Sequence, residues 1–446
     1  MDKRSLFLIF GITVWIILSF SFKNNIFDTA SRYFDYFQYD SESLVVGRLI
    51  LSERDGLAAH AGFLGKVYPV PSSTDPFWYQ YEAYRNQYEF DTYEAYYSQP
   101  GVQAFLYGLF CKITGLSGDD ALEFFYWNIS LFNGLIFTLF LLWVFYRWKL
   151  ATAIFTFVTI LFSQWIIYFG HNIFWVLGIF YLPFVVSLWY LQFWEEKVKR
   201  TGLLTFVLMF VCVFTKCLLT GFEYITTTLV MSVTPWFFYG FIYKWNLRTF
   251  LKRFTAVSAG ALSAVLLTIF WLAIQLSFVK GTLSEGFDYI FYSLNRRTYV
   301  GGNTDMDSFY MESLKSNLWD VLATYWNGHA YDLAHWFEDD ALRILSKGTF
   351  GSSILFFFFV SILVLVSKSI KYFPRFRRQQ IALTITLWLS LLAPLSWFVI
   401  FKGHSYVHPH MNHIIWHMPF MLLGAVLTGS MFCFYIRTWN FRKKIK

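Results

Sequence analysis

The chain of 446 residues is 57% hydrophobic, 23% aromatic and only 14% charged, with 36 Lys and Arg against 28 Asp and Glu and a formal charge of +8. A soluble domain carries about 25% charged residues, so these proportions exclude an ordinary water-soluble protein. The positive charge has to be read from where it falls along the chain, and no nucleic-acid partner is expected.

Apolar runs of roughly 20 residues recur, each long enough to cross about 30 Å of hydrocarbon as a helix. In chain order they are 5–22, 125–146, 151–170, 174–194, 202–221, 225–243, 254–278, 350–367, 380–401 and 414–436. Lipid offers the backbone no hydrogen-bond partner, so such runs predict an all-α, polytopic membrane protein with about ten spans. The first run reads as an uncleaved signal anchor. A further apolar stretch, 99–117, is short, interrupted by glycine and carries Lys112. It reads as an interfacial or re-entrant amphipathic helix, not a span. With no linker, low-complexity segment or clear repeat, 1–446 is expected to be a single membrane domain.

Charge orients the bundle. With the N-terminus inside, the inner segments hold 21 of the 36 Lys and Arg, among them Arg147, Lys149, Lys197, Lys199, Arg200, Lys244, Arg253, Arg375, Arg378, Arg437 and Lys446. Their only acids are Asp2, Glu195 and Glu196. Basic residues collect in short cytoplasmic loops, which leaves an acidic outer surface. Cys111, Cys212, Cys217 and Cys433 form no CxxC pair and suggest no disulfide framework.

Two outer loops, 23–124 and 279–349, are too long to be mere connectors. The first places Asp28, Asp35, Asp40 and Glu42 soon after the membrane exit. From Leu44 the pattern turns helical, with Leu44, Val45, Leu49 and Ile50 on one face, as in a helix lying on the membrane surface. Asp40 suits an N-cap and Glu42 suits the helix dipole. A capping carboxylate can still present its second oxygen to a substrate.

These residues resemble the first outer loop of the GT-C superfamily of lipid-linked-sugar glycosyltransferases, such as aminoarabinose transferases and protein O-mannosyltransferases. There an acidic residue heads a juxtamembrane helix, with an Arg eight positions on and an Asp seven beyond that. Asp40, Arg48 and Asp55-Gly56 stand at that spacing, and the family's paired acids become Asp40-Ser41-Glu42. The resemblance implies transfer of a sugar from a polyprenyl-phosphate donor to an acceptor glycan or glycolipid at the outer face of a bacterial inner membrane. The displacement would be inverting, with Asp40 or Glu42 as general base. No P-loop or dinucleotide fingerprint competes with this reading.

Such chemistry needs a base for the acceptor hydroxyl and cations for the phosphate leaving group. The outer candidates are Arg296 and Arg297 in the second loop and Lys402 with His404 in the last. That last loop also carries His408, His410, His413 and His417. These are read as a phosphate site, as interfacial histidines, or as a divalent-metal site built on His408-x-His410 with His404 or His413. Arg48, Lys216, Glu223, His408 and His410 are expected to line the cavity. Lys216 and Glu223 are seven residues apart at the end of a span, where ionisable groups usually face a cavity, although Lys216 could instead snorkel. The aromatic segment 77–97 reads most simply as an interfacial belt. Two other function classes remain: a polysaccharide polymerase or O-antigen ligase, and a transporter or flippase for lipid-linked sugars.

Overall fold

The computed structural model describes residues 2–30, 33–195, 201–298 and 308–445. Glu196, Lys197, Lys199, Arg200 and Lys446 lie outside the described residues. The chain is mostly α-helical. Helix α1 (Lys3–Asn24) is followed by α2 (Tyr39–Asp55), α3 (Pro76–Asn86), α4 (Val102–Thr114), α5 (Gly118–Trp148), α6 (Leu150–Leu161) and α7 (Gln164–Phe169). Then come α8 (Leu177–Phe193), α9 (Thr201–Thr220), α10 (Ile225–Tyr243), α11 (Leu247–Lys280), α12 (Leu283–Arg297), α13 (Ser308–Lys315), α14 (Leu318–Asn327) and α15 (Asp340–Leu345). The last third holds α16 (Phe350–Val366), α17 (Lys368–Lys371), α18 (Pro374–Ser390), α19 (Leu392–Ile400), α20 (Lys402–Val407), α21 (Pro409–Asn412) and α22 (Phe420–Ile445).

Among the described residues seven stretches are long and apolar enough to cross a membrane: α1, α5, α9, α10, α11, α18 with α19, and α22 to Thr438. Helices α6, α8 and α16 are apolar but shorter. The protein is therefore an integral, multi-spanning membrane protein. Helix α4 covers only about 20 Å at 1.5 Å per residue, too short to span. Many large apolar side chains face outward on the long helices, including Leu8, Ile12, Leu266, Phe270 and Phe359, as lipid contact requires. One buried apolar cluster runs through the bundle from Phe10 to Met431.

An all-α fold is corrected by two small antiparallel sheets in the segments between the long helices. Strand β1 (Leu64–Tyr68) pairs with β2 (Thr92–Tyr96), and β3 (His329–Asp332) pairs with β4 (Lys347–Thr349). Each has only two strands, too short to leave a run of alternating residues in the sequence.

Local chemistry sets several helix starts. The Asp75 carboxylate accepts from the Phe77 and Trp78 amides, with Pro76 in the first turn of α3. Thr282 and Glu285 form a reciprocal capping box on α12. Helix α2 differs: its N-cap is Gln38, in a left-handed conformation, with no side-chain cap. Asp40 thus sits inside the first turn and does not cap. Nor is α2 a surface helix. Val45, Val46, Leu49 and Leu51 are all buried, because α3, α4 and β1 cover the side that the sequence pattern left to solvent. In the aromatic segment Tyr79, Tyr81 and Tyr84 are core residues, so the interfacial-belt reading is corrected there too.

Candidate functional site

Gly47 lets α2 touch β1, and Gly65 lets β1 lie against β2 and the Tyr93 ring. A Cβ on Gly47 would meet the Gly65 carbonyl oxygen at 2.3 Å, and one on Gly65 would meet the Glu94 carbonyl oxygen at 2.2 Å. From α3, the Gln80 side chain accepts from the Val67 amide (2.8 Å) and donates to the Val67 carbonyl (3.1 Å). This clamp holds β1 along α2 and brings Lys66 into the cavity that Asp40 lines. The Lys66 ammonium lies 4.0 Å from the Phe77 ring centroid. Burial lowers its pKa, while the carboxylates of Glu94, Asp40 and Asp75 work the other way.

The opposite wall comes from the α9–α10 turn, α12 and α20. Lys216, completely buried, donates through Nζ to the Gly221 carbonyl at 2.8 Å and to the Glu223 carbonyl at 2.5 Å. It is neither snorkelling nor lining the cavity. It ties down the turn that presents the Glu223 carboxylate. Glu223 Oε1 lies 3.3 Å from Arg297 Nη2, which also donates to the Tyr96 hydroxyl at 3.2 Å. Burial disfavours the Arg297 charge, but Glu223 and Tyr96 more than offset it and raise its pKa.

His404 Nε2 stands 3.6 Å from Glu223 Oε2. Burial, reinforced by His408 and Arg297, pushes the His404 pKa far down and favours the neutral imidazole beside Glu223. The Asn412 amide lies 3.4 Å from His404 Nδ1. If that amide donates, the imidazole proton sits on Nε2 and faces Glu223. His408 is also held neutral by burial, its pKa pushed down to about 4. Gly403 leaves room for the Leu314 side chain of α13, which a Cβ there would meet at 3.0 Å.

The resulting cavity has a volume of about 280 Å³. Its charged and polar wall carries Asp40, Lys66, Glu223, Arg296, Arg297, His404 and His408. Phe77, Tyr96, Phe174 and Trp175 supply aromatic surface. Asp40, Lys66 and Arg296 line the same cavity as the Glu223–Arg297 pair. That arrangement suits an anion beside a group able to accept a proton, against aromatic faces on which a sugar ring can stack.

Several predicted residues stand elsewhere. Glu42 is buried behind the cavity, where Asn172 donates to its Oε2 at 3.1 Å. Burial pushes its pKa up to about 8, partly offset by the Tyr126 hydroxyl and the Ile173 backbone. Arg48 is fully buried and turned away, donating to the Ala59 and Leu57 carbonyls. Eight residues on a helix is more than two turns, which rotates Arg48 off the Asp40 face. Among the described residues Asp55 forms an ion pair with its neighbour Arg54, at 2.8 Å and exposed. Lys402 is buried, its Nζ donating to the Leu314 and Ser316 carbonyls at 2.7 Å each; it anchors the α13–α14 connection and does not line the cavity. His410 does not line it either, although the Asp40 charge bears on it.

Sequence reasoning misses Lys66, Phe174 and Trp175, whereas Tyr96 falls in the aromatic segment 77–97. The usable signal for Lys66 was the Gly47 and Gly65 pair, which marks a close backbone approach. Among the described residues no three His, Cys, Asp or Glu side chains converge as a metal site. His413 is engaged otherwise, with Nδ1 2.6 Å from the Pro409 carbonyl and the ring stacked on Trp165. Comparison with known proteins finds no matching family model, no matching curated protein and no matching solved structure.

Proposed function

We propose that the protein transfers a sugar from a polyprenyl-phosphate donor to an acceptor glycan or glycolipid, in the manner of the GT-C glycosyltransferases that its first loop resembles. The observation that carries this reading is the cavity that holds Asp40 together with Lys66, Arg296, Arg297 and His404. Asp40 takes the acceptor proton, while Lys66 and Arg296 receive the phosphate leaving group. Charge-assisted donors are the strong ones for such a group. Glu42, buried and biased toward its neutral form, is less suited as the base. In this reading the chain has about ten spans, counting α6 with α7, α8 and α16, and both termini face the cytoplasm. Segments 23–124 and 279–349 then meet on the outer side of a bacterial inner membrane.

A polymerase or ligase acting on polyprenyl-pyrophosphate chains is the second reading, favoured by Arg297, His404 and His408 standing in the same cavity. A flippase has less support, since the Lys216 ammonium is spent on backbone carbonyls.

Asp40→Asn separates the readings. It touches no cap, so folding and expression should be unchanged, while transfer of radiolabelled sugar by purified protein should fall roughly 10²- to 10⁴-fold. Full transfer in the Asp40→Asn, Glu42→Gln double variant would remove the carboxylate mechanism. Loss confined to His404→Ala or His408→Ala would favour the ligase reading.

A further inference from the structure

A second cavity, about 660 Å³, opens at the far end of the bundle from Asp40. Helix α5 has 31 residues, so its ends stand about 46 Å apart. Its start pairs with α3 through Asp119 and Arg85, beside the candidate site. Its other end, Arg147 and Trp148, lines this cavity with Lys149, Arg375 and Arg437. No carboxylate lines it. The reason is visible in the sequence: no Asp or Glu occurs between residues 124 and 194, or anywhere after Asp340, and every lining residue comes from those two stretches.

Among the described residues none of the four cations pairs with a carboxylate. Elsewhere on the same basic face the chain does supply one: Arg253 pairs with buried Glu195. Two buried donors on residues that line the cavity also lack a partner. The Arg147 Nε and the indole N–H of Trp148, a residue only 6% exposed, have no hydrogen-bond partner among the described residues. Below the cations the wall becomes apolar and weakly polar, through Phe376, Phe434, Cys433, Thr152 and Ser430. From Thr438 to Ser430 the cavity follows α22 for about 12 Å into the membrane.

We propose that this cavity binds the phosphate headgroup of an anionic glycerophospholipid, with the upper part of its acyl chains along α18 and α22. Arg147 lies over the Phe238 and Tyr239 rings, and with Lys149, Arg375 and Arg437 it makes a single-sign wall that attracts an external anion. A basic pocket between membrane helices grading into an apolar wall fits a lipid phosphate better than a soluble one. The proposal stands independently of the outer cavity's chemistry.

The test uses the purified full chain, delipidated in detergent and offered phosphatidylglycerol or phosphatidylcholine with identical acyl chains, with retained lipid counted by native mass spectrometry. At low salt, phosphatidylglycerol should be preferred on the order of tenfold or more, falling as salt rises. The Arg147→Gln, Arg375→Gln, Arg437→Gln triple variant should lose most of that preference. Arg248→Gln, Lys252→Gln, on the same face but outside the cavity, should keep it. If the triple variant does not fold, exposed Arg375→Gln alone should lower the preference several-fold. Equal retention of the two lipids by the unaltered protein, the same loss in the control variant, or full displacement by millimolar inorganic phosphate would each overturn the proposal.

Discussion

The cavity at Asp40 and the cavity at Arg147, outer and inner in the proposed orientation, are built on opposite electrostatic plans. In the outer one, Glu223 bonds Arg297 and faces neutral His404, and Asp40 stands opposite Lys66 and Arg296. In the inner one, Arg147, Lys149, Arg375 and Arg437 stand without an acid. Matched charges hold donors and acceptors in fixed directions, which is what a reaction needs, since preorganised dipoles cost no rearrangement when charge develops. A single-sign surface orients little but attracts a counter-charge over a distance. The smaller cavity, with charges of both signs, is thus the better candidate for chemistry, and the larger basic one for holding a lipid.

The largest effect expected from breaking the outer plan is the loss of transfer in Asp40→Asn, which should come with an unchanged melting temperature. Breaking the buried pair comes next. Arg297→Gln leaves Glu223 uncompensated and should cost about 3–5 kcal/mol, read as a lowered melting temperature in detergent. Adding Glu223→Gln should recover much of it, because the orphaned charge goes too. Lys402→Met, which removes the donor to the buried Leu314 carbonyl and the part-buried Ser316 carbonyl, should cost about 1.5–3 kcal/mol by the same measurement.

Glu42 provides a pH-dependent contrast, because its environment favours the neutral acid. The folded pKa is raised from 4.5 to about 8, so the folded chain holds a proton that the unfolded chain releases. The unfolded state binds fewer protons across that window, so stability should fall as pH rises from about 4.5 to about 8. Glu42→Gln should flatten this slope and be more stable than the parent above pH 8, which a pH series of thermal melts would show. The smallest effect belongs to Asp55→Asn. Its exposed pair with Arg54 is worth about 0–1 kcal/mol, and neither stability nor transfer should change measurably; a strong loss of transfer would return Asp55 to the site.

Much of the membrane fold was legible because lipid imposes a one-dimensional rule: a helix must carry about 20 apolar residues to cross. Long helices such as 118–148, 225–243 and 247–280 therefore announce themselves in composition alone. The acid-free stretches behind the inner cavity were equally present in the sequence. The outer site was only partly visible. Asp40, Arg296, Arg297, His404 and Glu223 stood out as ionisable groups near membrane exits, but residue type does not say which way a side chain turns. Tertiary packing turned Arg48 inward to the Leu57 and Ala59 carbonyls and spent Lys216 and Lys402 on backbone oxygens. It also brought Lys66 to Asp40 through a glycine contact between α2 and β1. Hydropathy measures whether a residue can enter the bilayer. Which buried polar group answers which depends on contacts between segments far apart in sequence, and those exist only once the chain has folded.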